Sequence, residues 1–275
     1  MAKKKEGKAT KEEGKRWIIK NVLLLVVFFI VSMLYSYVTA FESSPHVQFT
    51  PIDWSIPLYP PAVVIYLFVF YSFLFFALVY YAFIQRAYFN QLIISLIVIE
   101  LIASIVYVIY PTIMIRPYWA PTSLSDWILW SNLLSPQYIY NWLLYDSIQL
   151  NSGPFNWMLW NVYAHDTPLN CFPSLHAAVS TMVAFGFWQE KRKYGWVSWP
   201  IAIAVIVSTW LVKQHVIVDS IFGAALALAV GYIFYKKVFT TPETPPQKSK
   251  LWQLTLILIV AEIAMILYIS GTYLL

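Results

Sequence analysis

The chain has 275 residues, of which 60% are hydrophobic, 19% aromatic and only 11% charged, with a net charge of +5. A soluble domain carries roughly a quarter charged residues, so this composition excludes an ordinary soluble protein and points to one embedded in a membrane. A single cysteine, Cys171, excludes an internal disulfide and leaves the redox compartment open.

The first sixteen residues hold seven Lys and Arg against three Glu, without apolar periodicity, and read as a disordered basic cytoplasmic tail, 1–16. Such a tail sets topology and meets anionic headgroups; no nucleic-acid partner is expected. Apolar runs follow at 17–40, 60–84, 92–110, 176–188, 196–212, 216–235 and 251–275. Most approach the ~20 residues that cross a bilayer core as a helix, and the two shorter ones abut polar motifs suited to the interface. The alternation of a membrane β-barrel is absent, so the fold class is all-α, a polytopic helical bundle of seven spans. The first run exceeds the apolar core of a leader and has a strongly basic flank. It reads as a retained anchor, although Val38-Thr39-Ala40 resembles a cleavage site.

Between the third and fourth runs lies a long segment, 111–172, rich in Trp and Tyr and containing Asp126, Asp146 and Asp166. Its aromatics suit short interfacial helices shaping a lipid entrance, and an ordinary aromatic belt looks the same. Pro242, Pro245 and Pro246 mark 240–250 as an extended linker to a separate last span, 251–275.

Placing the basic tail in the cytoplasm puts Arg86, Lys191-Arg192-Lys193, Lys236-Lys237, Lys248 and Lys250 inside as well. Of eighteen Lys and Arg, only Arg116 and Lys213 then fall outside, both beside short polar runs on the same side as His176, His215 and Asp219. The chain is thus expected to be a multi-pass protein of the cell membrane, N-terminus cytoplasmic, with its site on the non-cytoplasmic face.

Those polar runs are Pro173-Ser174-Leu175-His176 and Lys213-Gln214-His215-Val216-Ile217-Val218-Asp219. His215 and Asp219, four apart, share one helix face, so the carboxylate can hold one imidazole nitrogen and leave the other as a nucleophile. Alone, such a pair is more often a satisfied structural hydrogen bond. Pro173-Ser174, however, opens a helix whose first-turn N–H groups and positive dipole end suit phosphate oxygens, and His176 projects from the same turn, placed to protonate a leaving alkoxide. Two histidines beside helix ends, each near a lone cation, make phosphate chemistry the sharper reading.

Arg116-Pro117, then Pro173-Ser174-Leu175-His176, then Ser208, His215 and Asp219 resemble, in order and spacing, the three motifs of the type 2 phosphatidic acid phosphatase superfamily. The resemblance covers about 110–223. It departs from the motifs at Ile109 (a lysine in the family), Leu175 (a glycine) and Thr209 (an arginine). The wording Asn170-Cys171-Phe172-Pro173-Ser174-Leu175-His176 with Gln214-His215 looks like the branch related to inositol phosphorylceramide synthase, which includes phosphotransferases.

The resemblance implies a six-helix catalytic core, 17–239, with 251–275 as an additional span. It implies His215 as nucleophile forming a phosphohistidine, Asp219 as its orienting carboxylate and His176 as acid, with no metal and no cofactor. Arg116, Ser174 and Lys213 are expected to bind phosphate, Lys213 replacing one lost cation. The substrate would be a phospholipid or polyprenyl phosphate, and the acceptor either water or an alcohol; a transporter that binds without cleaving is the alternative outside enzymes. His165 and Asp166 are candidates for a headgroup or acceptor contact, or a loop hydrogen bond. Glu100 and Glu262 lie within spans, where an ionised side chain costs on the order of 3 kcal/mol, so each is expected to face the bundle or be protonated. Cys171 reads as packing, and His46 has no evident partner.

Overall fold

The computed structural model describes residues 2–38, 45–114, 116, 153–166 and 168–235. The linker 240–250, the last span 251–275 with Glu262, Asp126, Asp146 and the side chain of His165 lie outside the described residues.

Among the described residues the chain is all helical, with no strands. The helices are α1 (Ala2–Val38), α2 (Pro51–Ser55), α3 (Phe70–Phe83), α4 (Phe89–Ile109), α5 (Pro154–His165), α6 (Leu175–Glu190), α7 (Arg192–Leu211) and α8 (Ile217–Ile233). A 3₁₀ turn, Pro60–Ala62, and a π turn, Ile65–Val69, lead into α3 and extend it to a span of 24 residues. Among the described residues four helical stretches are long and apolar enough to cross a membrane: Gly14–Leu34, Pro60–Phe83, Phe89–Ile109 and Arg192–Leu211. Large apolar side chains of α1, including Ile19, Val22, Leu23 and Ile30, point away from the protein, as lipid contact requires. The expected helical membrane bundle is therefore the fold.

The basic tail differs from its expected disorder: α1 runs unbroken from Ala2. Alanine, lysine and glutamate, which make up most of 2–13, are strong helix formers, and an existing span spares them the cost of nucleation.

Helix α6 is the centre of the bundle, touching α3, α4, α7 and α8, while α1 packs on α4. Every residue from Ala177 to Phe187 is buried. That burial explains how a span can carry Ser180, Thr181 and Gly186: it meets protein on all sides and needs no lipid-facing stripe. At 16 and 17 residues, α6 and α8 are about 24–26 Å long, shorter than a ~30 Å hydrocarbon core.

Two contacts lock these short helices together at their N-terminal ends. The Ser174 N–H donates to the Asp219 carbonyl (3.0 Å), and Gly223 of α8 lies against the Ser174 carbonyl, where a Cβ would collide with backbone. Gly223→Ala is therefore expected to cost about 1–3 kcal/mol through overpacking and to depress activity with it. Gly231→Ala meets only the side chains of Phe185 and Met182, which can turn aside, and costs less. Thermal unfolding of the two variants in detergent checks the order.

Loops close the same end. Backbone hydrogen bonds tie His46 to Pro111 and Ile113, and Met114 to Pro168, while the Thr112 hydroxyl accepts from the Phe172 N–H. The His46 ring, unassigned from sequence, stacks on Tyr110 at 4.7 Å.

Candidate active site

The two polar runs meet where α6 and α8 begin. Ser174 caps α6, its Oγ accepting from the Ala177 N–H at 3.2 Å. The cap leaves the N–H groups of Leu175 and His176 without intrahelical partners. The His176 ring is clamped by aromatics, stacked on Tyr66 and tilted against Phe70, each at 4.4 Å. His215 lies 5.9 Å away, ring to ring.

His215 is positioned by a turn that begins where α7 ends. Lys213 adopts the left-handed conformation, φ +52°, and the N–H groups of Gln214 and His215 return to the Thr209 carbonyl. The imidazole Nδ1 then lies 3.0 Å from the Cys171 carbonyl and 3.5 Å from Asp219 Oδ2. A carbonyl only accepts, so Nδ1 carries the hydrogen and Nε2 keeps its lone pair. Asp219 Oδ2 also accepts from the Val216 N–H (3.0 Å), which pins the carboxylate at the start of α8. The expected His215–Asp219 pair is present, but the shorter bond to the imidazole comes from Cys171, whose packing role thus gains a backbone function.

Both histidines line a cavity of about 400 Å³ shared with Arg116, Asp166 and Gln214. Arg116 is 1% exposed. Its Nη1 donates to the Asp166 carbonyl (2.6 Å), its Nη2 donates to Gln214 Oε1 and lies 3.8 Å from Asp166 Oδ2, and Tyr163 faces the guanidinium. Tyr66 donates to the same Asp166 oxygen at 3.4 Å. Accepting from Arg116 fixes the orientation of the Gln214 amide and leaves its buried Nε2–H₂ as a donor with no partner among the described residues. Gln214 is thus a cavity-lining residue that the motif spacing does not mark, although it adjoins His215.

Lys213 and Ser174 do not line the cavity. The Lys213 ammonium donates to the carbonyls of Ile56 (2.6 Å) and Asp53 (3.2 Å). Burial pushes that ammonium below the ordinary lysine range, with the Asp53 carboxylate opposing the shift. A left-handed turn aims this side chain, the expected replacement for a lost cation, at the α2 loop. Ser174 supports the helix end from behind.

The departures at Ile109 and Thr209 have matching explanations. Ile109 is 75% exposed at the end of α4, and Thr209 bonds its own helix at the Ile206 carbonyl. Neither faces the cavity. Asp53 was also missed: its Oδ1 accepts from the Ile217 N–H (2.9 Å) and its Oδ2 from Thr50, tying the first loop to the start of α8. The Thr50-x-x-Asp53 capping box is the signal that marks it.

The sequence model of the PAP2 superfamily matches residues 38–233, from the end of α1 to the end of α8. The chain belongs to the PAP2 superfamily. No curated protein and no solved structure matches it significantly. Membership supports a lipid enzyme of the phosphatase or phosphotransferase type; the match does not single out the inositol phosphorylceramide synthase branch.

Proposed function

We propose that this PAP2 protein cleaves the phosphate ester of a lipid phosphate through a phosphohistidine and passes the phosphoryl group to water. The observation that carries the reading is His215, whose Nδ1 is held by acceptors while Nε2 is left nucleophilic in a cavity shared with His176 and Arg116.

Nε2 of His215 attacks phosphorus, forming the N–P bond as the bond to the lipid oxygen breaks. Protonated His176 gives its proton to the departing alkoxide, so the lipid leaves as an alcohol. The positive charge on the phosphorylated imidazole is balanced by Asp219. Neutral His176 then takes a proton from water, whose oxygen attacks phosphorus, and phosphate leaves as His215 is regenerated. Arg116 and the Gln214 amide face the nonbridging oxygens as charge shifts among them, aided by the first-turn N–H groups of α6. The basic N-terminal flank supports a cytoplasmic N-terminus, and with it a site on the non-cytoplasmic face of the cell membrane.

The test is phosphate release from dioleoyl phosphatidic acid and from a polyprenyl phosphate by the purified full-length protein in detergent, with chelator present, alone and with inositol added. Free phosphate and the lipid alcohol are the expected products. Appearance of a phosphorylated acceptor in place of free phosphate would establish transfer instead, and no turnover of any lipid phosphate would reject both.

A further inference from the structure

The cavity does not end at the phosphate site. It continues between α1 and α3, past Tyr66, Phe70 and Leu74 to Leu78, a distance of about 18 Å along α3. A volume of about 400 Å³ drawn out over that length is a slot suited to a single chain. Away from the phosphate end its wall is apolar apart from the tyrosines Tyr66, Tyr71 and Tyr107 and one hydrogen-bonded pair, Ser32 of α1 and Glu100 of α4. Glu100 lies seven residues before Tyr107, whose hydroxyl donates to the Pro173 carbonyl beside the catalytic run (2.8 Å). The carboxyl is thus about 10 Å down the slot from the phosphate site.

This pair is short of donors. Ser32 Oγ lies 2.9 and 2.7 Å from the two Glu100 oxygens and 3.0 Å from the Phe28 carbonyl, yet a hydroxyl supplies one hydrogen. Glu100 is only 7% exposed, and Ser32 is the donor that faces it among the described residues. A carboxyl kept within a membrane span, with acceptor capacity turned toward a substrate slot, is costly unless something in the slot donates to it. Its place in the wall, joining α1 to α4 along the lipid path, is what a chain-reading contact requires.

We infer that Glu100, held by Ser32, is a second recognition point that selects lipid phosphates carrying a hydroxyl or amide N–H part-way along the chain. This deepens the proposed function and rests on it: the phosphate end sets reactivity, and the Glu100 end sets which chain is accepted.

The experiment compares hexadecyl phosphate with the same molecule hydroxylated at its fourth, sixth or eighth carbon, using full-length protein in detergent. One hydroxylated isomer is expected to exceed the plain chain in kcat/KM by about tenfold, the measure of one hydrogen bond. Glu100→Leu, an apolar change suited to the bilayer, should bring that ratio to one, and Ser32→Ala should lower it. Equal turnover of all four lipids by the unaltered protein, or a preference that survives Glu100→Leu, overturns the inference while leaving the phosphatase reading intact. Absence of turnover with every lipid overturns the phosphatase reading. The inference is then decided by thermal stabilisation of the His215→Ala protein by the same lipids, with and without Glu100→Leu, where equal shifts count against it.

Discussion

Replacing His215 with alanine is expected to lower kcat/KM for phosphate release by at least about 10⁴-fold, the scale on which loss of a covalent nucleophile is felt in other enzymes. The size follows from how completely the imidazole is prepared. Nδ1 faces two acceptors, the Cys171 carbonyl at 3.0 Å and the Asp219 carboxylate at 3.5 Å, so no ring flip or tautomer exchange precedes attack by Nε2. Removal also takes away the atom to which phosphorus becomes bonded, so no neighbouring group restores the route. The variant should retain its fold, because α8 is held independently by Gly223 and Asp53, and a melting temperature close to that of the unaltered protein separates lost chemistry from lost structure. Incubation with radiolabelled lipid phosphate and a rapid alkaline quench should leave label on the unaltered protein and none on His215→Ala. Label retained by the variant would move the nucleophile elsewhere.

Arg116→Ala is expected to lower kcat/KM by about 10²–10³-fold, whereas Lys213→Met should lower it by less than about tenfold. Arg116 is the fixed cation of the cavity wall among the described residues, and its guanidinium plane is set by the Asp166 carbonyl and Gln214. Arg116→Lys should recover little, since an ammonium cannot hold both acceptors and still present a planar donor edge to phosphate. Lys213, by contrast, has two of its three donors committed to the carbonyls of Ile56 and Asp53. Its loss acts through the loop, and a change in melting temperature should accompany whatever activity falls. Equal losses in the two variants would show that the Lys213 ammonium turns into the cavity when substrate binds. Because a buried arginine leaves unsatisfied acceptors behind, Arg116→Ala needs the same unfolding control.

Much of the fold was legible because its signals are local. A run of apolar residues long enough for a bilayer makes a helix whatever surrounds it, and the Gly14–Leu34, Pro60–Phe83 and Phe89–Ile109 spans fall within six residues of their sequence bounds. The N-terminal stretch went the other way: a high charge count suggested disorder, but lysine, glutamate and alanine continue a helix that a neighbouring span has already nucleated. The capping of α6 by Ser174 and the i, i+4 relation of His215 and Asp219 are again short-range facts, readable from a few letters.

By itself, then, the sequence determined an all-helical membrane protein and brought forward two histidines, a carboxylate and an arginine as candidates for one site. Spans, caps and motif spacings depend on neighbours along the chain, and the order of motifs sufficed to relate it to a family. Only the tertiary structure decided which groups touch. The Cys171 carbonyl reaches His215 across 44 positions, and Ser32 meets Glu100 across 68. No periodicity encodes such pairs. Least readable was the direction of a long side chain: Lys213 adjoins the site in sequence yet points away from it, because a left-handed turn and two backbone carbonyls, distant in sequence, set where its ammonium goes.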